Sequence, residues 1–146
     1  MTDLMIALAS SIVDEALNSA RSRGLAPLCV MVIDTGAWPV MMKRDDGASI
    51  FRARIAEAKA AACLGMGFGG RELARRAAGA PAFYAALGEV APLGILPVPG
   101  GVLIRDSGGK LLGAVGISGD TADHDEQCAI AGIVAAGLVA DTGAPA

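Results

Sequence analysis

Histidine occurs once in these 146 residues, at His124, and aromatic residues make up 3% of the chain. A lone histidine with no close cysteine pair argues against a structural zinc site, which needs four ligands, and no metal is expected. The cysteines, Cys29, Cys63 and Cys128, are odd in number and sit among apolar or alanine-rich neighbours. They read as reduced core thiols rather than disulfides. A basic excess is also missing: 12 Lys+Arg against 15 Asp+Glu give a formal net charge of −3, so nucleic acid is not expected as a partner. The longest apolar stretch, Cys128 to Ala140, contains two glycines and falls short of the roughly 20 residues a spanning helix needs, so no membrane partner is expected. The first residues lack a basic stretch and carry Asp3, which predicts no export and a cytoplasmic location. The phosphate-loop pattern is absent, and "GMGFGG" (65–70) lacks the preceding strand of a dinucleotide fingerprint.

What is present is apolar bulk. The hydrophobic fraction is 53% and charged residues are 18%, below the roughly 25% charge of an ordinary soluble chain. Such a surface favours subunit interfaces, so a homo-oligomer is expected. The length suits one domain over residues 1–146. Leu4, Leu8, Ile12, Ala16 and Ala20 recur every four residues and predict an amphipathic helix, with Thr2 as a cap and Gly24 as its stop. "LCVMVID" and "VMMKR" predict a hairpin across "TGAWP". Ser49 is placed to cap a helix running to about Gly65, whose alanines give it thin faces. Two short helices follow, "RELARRA" and "PAFYAAL". "ILPVP", "VLIRD" and "KLLGAVGIS" then read as strands, the prolines placing the first at an edge. Asp123 opens the last helix with Glu126 three residues on, like a capping box, and "DTGAPA" is expected to fray. The order predicts an α+β fold with a mainly antiparallel sheet.

Three clusters carry chemistry. "GAVGISGDTADHDEQ" (113–127) puts His124 among Asp120, Asp123, Asp125 and Glu126 just after Gly119. A helix start offers unpaired N–H groups and a positive dipole end, yet those carboxylates can satisfy some of the donors, so a plain capped helix competes with a ligand clamp. His124 can act as an acid or base with Asp125, can ligate heme or metal, or can simply be solvated. "KRDDGAS" (43–49) sets Arg44 and Asp46 at a strand end before Gly47; its bland reading is an Asp–Gly turn. "PVPGGVLIRD" (97–106) contributes Pro99, Gly100 and Gly101, where glycine lets a ligand or another backbone approach. Lys59, on the alanine-rich helix, can reach a ligand carboxylate, with solvation as the default.

In this order and spacing, the "RxDGA" turn at Arg44, Asp46, Gly47 and Ala48, the "KA" helix at Lys59 and Ala60, the "GG" before the hairpin, and "GxxGxSG" leading to a "DE" helix start resemble the GlcG/HbpS family of small heme-binding or heme-degrading proteins. That family in turn resembles the C-terminal domain of PduO-type corrinoid adenosyltransferases. The resemblance covers nearly the whole chain and implies a profilin-like α/β/α sandwich around a five-stranded antiparallel sheet, assembled into dimers or larger oligomers, with heme as a cofactor. By chemistry His124, Met66 and Tyr84 are the candidates for its axial ligand. The middle segment, "GMGFGGRELARRAAGAPAFYAAL", departs from the shorter one in the heme binders and suggests a subgroup with a different ligand. Two functions stand side by side. One is a small-ligand-binding protein with a pocket at the three bends, lined by Arg44, Asp46, Lys59, Pro99, Gly100, Gly101, Gly119, Asp120 and Glu126. The other is an enzyme on a small carboxylated metabolite, with Arg44 or Lys59 holding the carboxylate and His124 with Asp125 moving a proton (tautomerisation, deamination or hydrolysis).

Overall fold

A computed structural model describes residues 3–145. The chain runs α1 (Ile6–Ser22), β1 (Cys29–Asp34), β2 (Pro39–Arg44), α2 (Arg52–Met66), α3 (Gly70–Gly79), α4 (Pro81–Leu87), β3 (Gly101–Arg105), β4 (Leu111–Ser118), α5 (Ala122–Ala135) and β5 (Val139–Asp141). The strands form one sheet in the order β2-β1-β4-β3-β5, and every pairing is antiparallel. This is the expected α+β, profilin-like sandwich.

Strand periodicity builds the layers. Val30 and Val32 of β1, Val115 and Ile117 of β4, and Val102 and Ile104 of β3 pack against α1 and α5. Cys29, Met31, Ile33, Ala114 and Leu103 point the other way, towards α2, α3 and α4. Successive side chains leave a strand on opposite faces, so a central strand covered on both sides must be apolar at every position. Each fully buried aliphatic side chain, such as Ile12, Ile33 or Ile117, contributes about 1.5–3 kcal/mol of burial.

The second layer is thinner because α2 presents Ala56, Ala60 and Cys63 to the sheet. A Cβ added at Gly116 of β4 would run into the carbonyl oxygen of Ala56. The thin face therefore lets a backbone approach, and that backbone is the sheet itself.

Several local expectations shift. The first helix starts after Met5; Thr2 lies outside the described residues. Gly24 does end it, at φ +65°. The Ser49 side chain does not cap α2, which begins three residues later behind Phe51; Ser49 instead accepts the Arg52 amide through its backbone carbonyl at 3.1 Å. "ILPVP" forms no strand; its two prolines remove ladder donors. The fifth strand is instead β5, and it reaches into the tail expected to fray: Val139–Asp141 pairs with β3, and Thr142 O accepts the Arg71 amide at 3.1 Å, so the tail's first two residues are held. The cap of α5 is Thr121, whose Oγ1 accepts from the His124 amide at 3.2 Å. Asp123 and Glu126 make no capping box, because both are drawn to Arg71. No helix among the described residues is long and apolar enough to cross a membrane.

Candidate functional site

Antiparallel register brings the three bends to one end of the sheet. Cys29, at the start of β1, pairs with Arg44 at the end of β2 and with Ser118 at the end of β4. Gly101, at the start of β3, pairs with Gly116. The bends at 45–49, 98–100 and 119–121 therefore leave the sheet on the same side. They are tied to the segment between α1 and β1: Asp45 N donates to Leu28 O at 2.8 Å, and Ala26 N donates to Asp120 Oδ2 at 2.9 Å.

What fills the middle of this end is an ion pair. Lys59 is 5% exposed and Asp125 is 1% exposed. Lys59 Nζ donates to Asp125 Oδ2 at 3.1 Å and to Ile117 O at 2.9 Å, and Asp125 Oδ1 accepts from the Asp120 amide at 3.0 Å. Burial raises the Asp125 carboxyl above its ordinary value, with Lys59 pulling it back. The paired glycines serve this lysine. A Cβ on Gly100, at φ +110°, would lie 2.7 Å from Lys59 Nζ, and one on Gly101 would lie 2.6 Å from Lys59 O. Half-buried Pro99 closes the same bend. Gly119 is equally confined, since a Cβ there would meet Leu28 Cα at 2.8 Å.

His124 stands outside this pair. Its partner is Asp120, four residues earlier, and not Asp125, which faces the interior. His124 Nδ1 lies 2.6 Å from Asp120 Oδ1, and the imidazole side chain is 43% exposed. Asp120 also accepts from the amides of Ala26 and Thr121; these bonds and His124 bring its carboxyl down to about 2. An ionised carboxylate only accepts, so Nδ1 carries the hydrogen, and in the neutral imidazole Nε2 then bears the free lone pair. A carboxylate on one ring nitrogen is the arrangement that orients a metal-ligating imidazole.

Glu126 is held by Arg71 of α3, which grips it through Nε at 3.1 Å and Nη2 at 2.9 Å and reaches Asp123 at 2.7 Å. Arg44 and Asp46 are exposed. The arginine that pairs in that turn is Arg21 of α1, on Asp45 at 2.9 Å. Arg44 makes no ion pair among the described residues. Exposed Ile50 and Phe51 sit at the same end.

Sequence reading missed Arg71, Thr121 and the Arg52 bond to Ser118 Oγ at 3.0 Å. Thr121 was legible as a threonine three residues before an amide in need of a partner; Arg71 left no signal beyond its charge. Of the other heme-ligand candidates, Tyr84 is buried, with its ring edge-on to Phe83. Met66 lines a separate cavity of about 400 Å³ between α2, the β1–β2 turn and the segment leading from α4. A neighbouring hollow of about 410 Å³ shares Gly36, Ala37, Pro92 and Leu93 and adds Trp38, Pro39 and Glu57.

The chain resembles several solved structures over most of their length. A complex of PduOC with heme superposes with a TM-score of 0.83 at 22% identity, over 98% of this chain and all of the other. The structure titled HbpS gives 0.78 at 29% identity, over 92% and 90%, and the Klebsiella pneumoniae protein ORFY gives 0.82 at 20% identity, over 94% and 93%. No curated protein matches. The family model described as "Haem degrading protein HbpS-like" matches residues 4–134, and with nearly the whole chain covered, this protein belongs to that HbpS-like family.

Proposed function

We propose that the protein is a small-ligand-binding protein that takes heme at the sheet end, where His124 Nε2 would hold the iron and Asp120 would orient the imidazole. The observation that carries this reading is the 2.6 Å contact between His124 Nδ1 and Asp120 Oδ1, which leaves the second ring nitrogen free on a side chain that is 43% exposed. Family membership, the HbpS likeness and the heme bound in the PduOC structure support it. At the same end of the sheet Ile50 and Phe51 are 76% and 64% exposed and would offer apolar contact to a porphyrin, and Arg44, which makes no ion pair among the described residues, would suit a propionate. Bound heme supplies a redox-active iron. The chain's part is to ligate, to orient the imidazole and to cover the ring.

The same exposed apolar residues support a homo-oligomer whose partner covers this end. The chain acts as one cytoplasmic domain in this reading. The enzymatic alternative has less support: Lys59 and Asp125 saturate each other inside the protein, so neither is free to hold a carboxylate or to serve His124. Titrating hemin into wild type and His124→Ala, with the Soret band as readout, tests the proposal. The wild type is expected to give a saturable band that shifts or disappears in His124→Ala. Identical spectra would refute ligation by His124.

A further inference from the structure

The cavity beside Met66 lies away from the bends just described. Its walls are apolar: Ala61, Leu64 and Met66 come from α2, Leu87 from α4, and Ile95 from the segment before β3. No charged side chain lines it, and Thr35 supplies the one hydroxyl. Its volume, about 400 Å³, falls in the range of roughly 300–1,000 Å³ typical of small-molecule sites.

A second observation concerns one wall. Ala37, at φ 66°, is the only non-glycine residue with positive φ among the described residues, and it lines both this cavity and the adjoining hollow. The turn is tightly bonded: Ala37 N donates to Asp34 O at 2.9 Å, and Asp34 Oδ1 accepts from Gly36 N at 2.9 Å and Trp38 N at 3.0 Å. Hairpins of this kind ordinarily place glycine at the left-handed position. Here an alanine occupies it, against backbone preference, at a residue that lines the cavity.

We propose that this cavity is a binding site for a small uncharged aromatic molecule of one or two fused rings, distinct from the heme site and independent of it. No charged side chain lines the cavity to pair with a carboxylate or an amine. The volume selects against anything much larger. The Met66 thioether offers the polarisable contact that ring edges favour, and Trp38 borders the adjoining hollow.

Indole is the probe, followed by NMR of the protein labelled at its methionine methyl groups, with Met66→Leu identifying the Met66 signal. A saturable shift of Met66, larger than that of the other methionines, is expected. Ala61→Phe, which fills the cavity, should weaken indole by roughly tenfold or more. Ala37→Gly should weaken it too while leaving thermal stability equal or higher, because the strain is removed as the wall methyl is lost. His124→Ala should retain the indole shift, and Ala61→Phe should retain the hemin spectrum of the wild type. No saturable Met66 shift, unchanged affinity in Ala61→Phe, or displacement of indole by hemin would each overturn the proposal. Loss of the hemin band in His124→Ala with indole binding intact, by contrast, bears only on the heme site.

Discussion

Replacing Lys59 by methionine keeps the length and apolar stem of the side chain and removes its charge. Asp125, 1% exposed, then keeps its bond from the Asp120 amide at 3.0 Å but loses the ammonium at 3.1 Å. Breaking a buried pair from one side costs about 3–5 kcal/mol, because a charge is left without compensation. Against a total stability of about 5–15 kcal/mol, that is a large fraction. Urea unfolding at neutral pH measures it: the midpoint should fall by roughly 1–3 M with an unchanged slope. The double variant Lys59→Met/Asp125→Asn should recover most of the loss, since the amide oxygen still accepts from Asp120 N and no charge remains buried. Acid adds a signed test. Burial raises Asp125 above its ordinary value of 3.8, so this group's contribution is full below 3.8 and is lost as pH rises through the raised value. Removing Lys59 takes away the charge that pulls the carboxyl down, so the variant's deficit should shrink as pH falls and Asp125 takes up a proton. A single variant that loses less than about 1 kcal/mol, or a double variant no better than the single, would refute the claim that this pair is buried and mutually dependent.

Asp120, held at about 2 chiefly by the Ala26 amide, contributes stability above its ordinary 3.8 that is lost as pH falls towards 2. Acid unfolding of Asp120→Asn should therefore be flatter than wild type in that window, and the variant's hemin affinity should drop by about 10–100-fold as the imidazole loses its orienting partner. Gly116→Ala should destabilise by about 1–3 kcal/mol or more in the same urea assay, because its methyl would collide with the Ala56 carbonyl of α2. The Cys63 thiol, pushed up to about 12 by burial, and Cys29, pushed up to about 11, should react with a thiol reagent only as the protein unfolds.

Strands with strong alternation or continuous apolar runs were legible, and so were the helices bounded by glycine. The fifth strand was not, and the reason is physical. "ILPVP" has β-branched residues but prolines that cannot donate, whereas Val139–Asp141 is too short to announce itself and exists only because β3 offers an open edge. The candidate site was half legible for a related reason. Asp120 and His124 are four apart at a helix start, a spacing visible in the sequence. Choosing between Asp120 and Asp125 as the partner required asking which face of α5 is buried. Asp125 falls on the stripe of Cys128, Ala129, Gly132 and Ile133, so it must point inward. Lys59 falls on the stripe of Ala56, Ala60 and Cys63 in α2, so it must do the same. A buried carboxylate on one helix and a buried ammonium on another, each without a partner on its own helix, demand one another. Because α2 and α5 lie on opposite faces of the sheet, the two can meet only past the strand ends. The Lys59 bond to Ile117 O, one residue from the end of β4, and the glycine at position 100 that gives the lysine room are what that constraint requires.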